Sequence, residues 1–551
     1  MRQVDRGAHL AVAAALALSL FTASCGGGGG GGGGASSGGG STTPTGPTWT
    51  QGAYAPSSQF INRCQTVRTG VDIEGNPFPD MAGSTLQEEF FLRSWTHETY
   101  LWNTEVTDRN PASYNDRLAY FDLLKTTATT ASGKPKDQFH FSEATSDYLA
   151  DVTSAPQAGY GANYAALATT PPRDFRIAYD EPNSPASAVT AGQIALPRGS
   201  KILTIDGVDL VNANTQAAVN SLNAGLFPAS VGESHTFVVQ DAGASTTRTV
   251  TLVSANVAQK PVSTTAIIPT SSGSVGYVMV ATFNPDAAEQ DIASAITAMK
   301  NGGVSDLVLD LRYNGGGLLA VASELAYMIA GDARTSGKNF ERLQFNAAAG
   351  NLDPVTGQTN SPVPFYTTAL GFSLTSGTAL NTLSLPRVFV LSTSETCSAS
   401  EAVINSLRGI GVNVVLVGSG TCGKPYGFYP QDNCGETYFS IQFQGVNDAG
   451  FGDYADGFIP NNSSASFGVR VPGCAVADDF NHDLGDPNEG LLAAALQYRD
   501  TATCPVVSAA SVAVAQANAT ASGAIRGSRL SAIGEMIHNS RDMRLPGGRR
   551  L

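Results

Sequence analysis

Charge is what this sequence has least of. Only 14% of its 551 residues are Asp, Glu, Lys or Arg, and the formal balance is acidic, at −14. Phosphate backbones are gripped by clustered Lys and Arg, so this balance argues against nucleic acid as a partner. Histidine is also scarce: the chain has six, and His9 lies in its N-terminal apolar region. That narrows the choice of an imidazole base. The apolar run Leu10 to Phe21, "LAVAAALALSLF", is shorter than the roughly 20 residues a transmembrane helix needs.

What is present in excess is glycine, 60 residues, part of it in one low-complexity tract. The hydrophobic fraction, 42%, is that of an ordinary globular protein, and the length allows two or three domains. Arg2 and Arg6 precede the Leu10–Phe21 run, which has signal-peptide length. It ends in "TASC". This resembles the lipobox of bacterial lipoproteins, in which the cysteine, here Cys25, is lipidated and becomes the new N-terminus. Thr22 stands where Leu is usual, and no Asp follows Cys25. The resemblance implies an exported chain, anchored to a membrane through lipid, on the periplasmic face of the outer membrane or at the cell surface. The glycine tract that follows reads as a flexible tether, which an anchored chain would use.

Seven cysteines are present. With Cys25 set aside, Cys64, Cys397, Cys422, Cys434, Cys474 and Cys504 form an even set in an exported chain, which predicts disulfides. Two pairings suggest themselves, Cys397–Cys422 and the hairpin bridge Cys422–Cys434.

Pattern divides the rest. Residues 1–24 read as a signal peptide and 25–50 as the tether. Residues 51–150 read as a small, mostly helical domain, from "LQEEFFLRSWTHETYLW" and "YNDRLAYFDLLK". His97 there reads as a packing residue. Residues 157–262 carry short β-rich runs around one helical stretch, Thr215 to Leu226. From 263 to 504 strands alternate with helices, predicting a layered α/β core and, for the chain, a multi-domain α/β fold. Residues 505–551 read as a low-complexity tail.

The chemistry-bearing stretch is "TCSASEAVINSLRG", Thr396 to Gly409. Ser398 at the mouth of a helix is either an N-cap or a nucleophile. A nucleophilic serine needs a base. His482 is the one histidine of the same region, but Lys424 lies a strand and a glycine turn after the helix, and a lysine serves as base when burial keeps it neutral. Acyl transfer also needs oxyanion donors. "DLRYNGGG", Asp310 to Gly317, ends a strand in glycines whose amides a substrate can approach, and Ala399 offers an amide at a helix start. "DDFNHDLGDPNE" has Leu484 where a calcium loop needs Gly, so no metal is expected there. Asp486 and Pro487 read as the start of a helix through Tyr498.

Two family resemblances follow from these residues. "GYGANYA" at Gly159 to Ala165, "SPAS…AG" and "LPRGSKILTIDGVDL" resemble a PDZ domain. That implies capture of peptide C-termini by strand addition, with the loop Gly159, Tyr160, Gly161 holding the carboxylate. "SASE", the pair Gly423-Lys424 and the "DLRYNGGG" strand end resemble the C-terminal processing, or tail-specific, proteases, from about Leu86 to Arg499. The resemblance implies a crotonase-like α/β core beside a PDZ domain and a Ser398–Lys424 dyad. It also implies Gly316 and Ala399 as oxyanion donors, peptides or unfolded proteins as substrates, and no cofactor. The Ser–Lys spacing is one residue longer than is common in that family. Phe428 stands where many members carry a Gln that orients the lysine, leaving Gln431 as the nearest substitute. The competing reading is a catalytically inactive peptide- or ligand-binding lipoprotein on the same fold.

Overall fold

A computed structural model describes residues 46–73, 75–153, 156–506 and 541–542. The expected signal peptide, Cys25, most of the tether and most of the tail lie outside the described residues.

The first helical pattern becomes α1 (Thr85–Thr99), started by Ser84, whose side chain accepts the Gln87 amide. It buries Phe90, Phe91, Leu92 and Trp95. The second pattern yields only α2 (Arg117–Phe121), capped by Asp116. This segment is tied to the rest of the chain rather than standing apart. Strand β1 (Phe141–Ala144) pairs antiparallel with Glu436–Phe439, and Cys64 is bridged to Cys434. Cys434 is thereby unavailable to Cys422; the remaining bridges are Cys397–Cys422 and Cys474–Cys504.

The β-rich region folds into strands β2 (Ala162–Ala168), β3 (Asp174–Asp180), β4 (Lys201–Ile205), β5 (Ser234–Gln240) and β6 (Arg248–Val253), in the sheet order β6-β5-β4-β3-β2. All neighbours are antiparallel. Helix α3 (Gln216–Leu226) packs Leu222 and Leu226 into a core with Phe175, Ile177, Ile202 and Phe237. Asp206 and Gly207 both have positive φ, 49° and 79°, as a two-residue type I′ hairpin turn requires. Strands β2 and β6 are the two edges of this sheet.

The apolar runs from Val262 onward build the central sheet: β7 (Val262–Ile268), β8 (Val275–Val280), β9 (Asp306–Asp310), β10 (Arg387–Ser392), β11 (Asn413–Gly418) and β12 (Gly473–Ala475), adjacent in chain order. Only β7 runs antiparallel to its neighbour. Both faces are covered, which is why these strands read as continuous apolar runs. Val278, Leu309, Val390 and Leu416 meet α4 (Ala287–Asn301), α5 (Leu319–Ala330) and α6 (Ala399–Gly409). Tyr277, Val308, Leu391 and Val417 meet α7 (Gly490–Thr501) on the opposite face. Helix α7 starts three residues later than the Asp486-Pro487 signal suggested. Glu489 is the N-cap, its carboxylate accepting the Leu492 amide at 3.0 Å. Among the described residues no helix is long and apolar enough to cross a membrane.

Candidate active site

The carboxyl ends of β9, β10 and β11 face the same side of the sheet, and the three chemistry-bearing segments leave from them. This is where open parallel sheets place their sites. The loop after β10 carries Ser398, and the loop after β9 braces it. Thr396 Oγ1 donates to the Leu311 carbonyl at 2.8 Å, the Cys397 amide to the Asn314 carbonyl at 3.0 Å, and Ser400 Oγ to that same carbonyl at 3.1 Å. Nucleophile turn and glycine loop are thus stitched together.

Ser398 sits at φ 58°, ψ −111°, a backbone region that residues with a side chain enter at a cost on the order of 1–3 kcal/mol. Its side chain is fully buried, and Oγ has no hydrogen-bond partner among the described residues. Ser398 and Glu401 stand in the capping-box arrangement at the start of α6. The burden of holding this turn falls on Glu401. Its Oε2 accepts the Ser398 amide at 3.0 Å and the Lys424 amide at 2.7 Å, while Oε1 accepts the Gly423 amide at 2.9 Å and Thr421 Oγ1 at 2.5 Å. One carboxylate therefore gathers the backbones of serine and lysine around itself. Burial raises the Glu401 pKa above the usual carboxylate value, and the bonds from Thr421, Lys424, Gly423 and Ser398 oppose that rise.

The Cys397–Cys422 disulfide makes the same connection covalently, with the two Cα atoms 5.2 Å apart. Glu401 and these two sulfurs form the one potential metal-ligand cluster among the described residues. With both sulfurs in a disulfide, neither is a thiolate, and the cluster does not suit a metal.

Lys424 is fully buried. Its Nζ lies 4.4 Å from the Phe428 ring centroid and 4.9 Å from that of Phe139. Phe428 thus forms a wall of the lysine pocket where the family often has Gln. Gly423 is required for the approach: its φ is 91°, and a Cβ there would stand 2.3 Å from the Ala455 carbonyl oxygen. Gln431 lies on the short strand Gln431–Asn433, and its amide donates to the Asp432 carbonyl at 2.7 Å.

Of the two expected oxyanion donors, Ala399 is the first residue of α6, where amides lack an intrahelical acceptor. The Gly316 amide donates to Asn314 Oδ1 at 2.9 Å. Asn314 Nδ2 in turn donates to the Val280 carbonyl at 2.8 Å. Gly317 must be glycine, since a Cβ would fall 2.3 Å from the Asn284 nitrogen.

Behind the glycine loop lies a buried ionic cluster. Arg312 bonds Asp310, Asp478 and Glu489. Arg198, from the β-rich region, reaches Asp478 at 2.9 Å and the Tyr313 hydroxyl at 3.2 Å. Tyr313 also donates to Asp478 and holds a positive φ of 63° one residue before Asn314. His482 is exposed, its ring held by Asp479 at 2.6 Å, and its carbonyl accepts from Arg198 Nε at 3.2 Å. His97 stacks on Tyr54 with ring centroids 3.7 Å apart.

In the β-rich region the Tyr160 ring is buried against Phe237, centroids 5.6 Å apart, and Gly159 ends a short strand paired antiparallel with Ala255. There the Tyr160 and Gly161 carbonyls accept the Ala186 and Glu181 amides at 2.8 and 2.7 Å.

Ser398, Lys424, Gly316 and Ala399 are legible in the sequence, whereas Glu401 shows there only as the last residue of "SASE". Its spacing, three after Ser398, was the available signal. Asn314 lies within the "DLRYNGGG" motif, two residues before the Gly316 it engages; Phe139 and Arg198 had no signal of their own, because each arrives from a distant segment.

Comparison with known proteins follows this geometry. Residues 274–428 match the model for peptidase family S41, a span holding Gly316, Ser398, Ala399 and Lys424. No curated protein matches the chain. Among solved structures, an S41 protease from Bacteroides fragilis aligns with a TM-score of 0.54 at 23% identity, covering 77% of this chain and 98% of its own. The photosystem II D1 C-terminal processing protease aligns with a TM-score of 0.40 at 19% identity, covering 71% and 94% respectively. Mature CPAF complexed with lactacystin aligns with a TM-score of 0.35 at 12% identity, covering 68% and 92%. The first of these likenesses supports the α/β architecture. The match places a peptidase family S41 domain at residues 274–428 and supports a serine-type peptidase.

Proposed function

We propose that this chain is an endopeptidase of the tail-specific type, with Ser398 as nucleophile and Lys424 as general base. The observation that carries the reading is the Glu401 carboxylate, which accepts the amides of both residues while Ser398 Oγ stays buried and unbonded. A neutral Lys424 would take the Ser398 proton, and Oγ would attack the substrate carbonyl. The acyl-enzyme forms as the peptide C–N bond breaks and the amine leaves with that proton; water then hydrolyses the ester. The Ala399 amide would hold the oxyanion at once. The Gly316 amide would join it when Asn314 Oδ1 releases it.

The β-rich region acts, in this proposal, as a PDZ domain. Its edge strand β2 follows the glycine loop and has an unpaired side, which suits addition of a substrate strand. The substrates are peptides or unfolded exported proteins. Cys25, in its lipobox-like context, is the proposed lipid anchor that holds the enzyme on the periplasmic face of the outer membrane or at the cell surface.

The test is cleavage of an unfolded protein with an apolar C-terminus by the purified chain and by its Ser398→Ala and Lys424→Ala variants. Activity abolished by both substitutions supports the dyad. Activity that survives Ser398→Ala removes the nucleophile. Stoichiometric binding without turnover in the wild type moves the assignment to a binding protein.

A further inference from the structure

The strand Gly317–Leu318 follows directly on the glycine loop. One of its edges is occupied: Gly317 bridges Phe283 in parallel, and the Leu318 amide donates to the Phe283 carbonyl at 3.1 Å. Its other edge is occupied too, by the far end of the same chain. Arg541 and Asp542 form a two-residue strand, parallel to it, in the register Gly317↔Arg541 and Leu318↔Asp542. The segment Tyr426–Gly427, just after Lys424, is the next neighbour of this strand. The chain's own C-terminal segment thus runs between the loop that bears Gly316 and the stretch that follows the lysine.

An edge of this kind, beside a nucleophile, takes an extended peptide by main-chain pairing, and such pairing does not read side chains. A tethered segment gains from its connection. The 34 residues from 507 to 540 span more than about 100 Å when extended, ample for reach. The effective concentration of a tethered strand is on the order of millimolar.

We propose that Arg541–Asp542 occupy the strand position a substrate would take beside Gly317, as an internal peptide that competes with incoming substrate. This rests on the reading of Ser398 and Lys424 as the peptidase site. An isolated strand affinity of roughly 0.1 mM, set against a millimolar tether, lowers apparent kcat/KM about tenfold.

The experiment uses the full chain and its Arg541→Pro/Asp542→Pro variant, in which neither tail residue has an amide to donate. Hydrogen exchange is measured first, in a Ser398→Ala background that prevents cleavage. Docking predicts that the Gly317 amide exchanges about tenfold faster in the proline variant, while the Leu318 amide, bonded to the Phe283 carbonyl, stays unchanged; equal exchange at Gly317 overturns the proposal. This arm needs no activity, so it stands apart from the catalytic assignment. With Ser398 intact, the proline variant is expected to show about tenfold higher kcat/KM on an unfolded protein. A synthetic peptide of residues 537–551 is expected to inhibit that variant competitively. Unchanged kcat/KM together with no inhibition by the peptide also overturns it.

Discussion

At the scale of single residues, the site is organised by strain and by one carboxylate. Ser398 is held at a positive φ that favours glycine. Ser398→Gly should therefore be more stable than Ser398→Ala by about 1 kcal/mol, although both lose activity. Equal midpoints of thermal unfolding would show that the turn stores no strain. Glu401 does not touch substrate in this mechanism; it positions the two residues that do. Replacing it by Gln keeps the shape but turns one of its acceptor oxygens into an amide donor. We expect Glu401→Gln to lower kcat by about 100-fold, with KM much less affected. Equal loss in both parameters would point to a collapsed cleft instead.

Further from the site, Glu324 on α5 is pushed up to about 9 by burial and by neighbouring Glu289. A folded-state pKa raised above the unfolded value means that the folded chain holds the extra proton. Its contribution is complete below about 4.5 and is lost as pH rises toward about 9. Thermal midpoints of Glu324→Gln should thus gain on wild type steadily across that window. A difference that does not change with pH would refute the assignment.

At the scale of elements, the helix–strand unit α6–β11 carries Ser398 at its start and Lys424 just past its end, and the Cys397–Cys422 bridge closes this 25-residue separation. Loop-closure entropy assigns such a bridge about 3 kcal/mol. The Cys397→Ser/Cys422→Ser variant should lose about that much stability in chemical denaturation. It should also lose activity several-fold beyond the unfolded fraction, because only hydrogen bonds, those of Glu401 and the Cys422 amide to the Thr396 carbonyl at 3.1 Å, then hold the lysine loop to the serine turn. Full activity in the folded variant would leave the bridge a purely structural role. The Ser–Lys pairing was legible in the sequence because both lie in one local unit with helix, strand and glycine signals in order. Phe139 was not, since it reaches the Lys424 pocket from a segment 285 residues earlier.

At the scale of the molecule, the β-rich region is coupled to the site through charge. Arg198 joins Asp478 and Tyr313, and Tyr313 precedes the Asn314 that engages Gly316. Asp478 would keep Arg312 at 2.7 Å, so losing Arg198 should cost about 1–3 kcal/mol, the range for a lost hydrogen bond to a charged group. Arg198→Ala should show this destabilisation and a lower kcat, since the glycine loop loses its brace. Normal kcat at temperatures where the variant is folded would uncouple the two regions. The N-terminal segment, expected as a separate helical domain, is similarly bound in: β1 extends a sheet of the core and Cys64 bridges to Cys434 across 370 residues.

What the sequence determined by itself was local. The glycine loop, the "SASE" turn with its capping spacing, the Asp206-Gly207 hairpin and the doubly buried strands each rest on interactions within a few residues, and periodicity or turn chemistry displays them. The tertiary structure alone decided the rest: the disulfide partners, the Glu401 cradle, the Arg198 link and the strand that Arg541–Asp542 adds beside Gly317. The physical reason is the same in each case. A buried charge or an unpaired backbone edge must find a partner, but nothing in its neighbours along the chain says which distant segment will supply one.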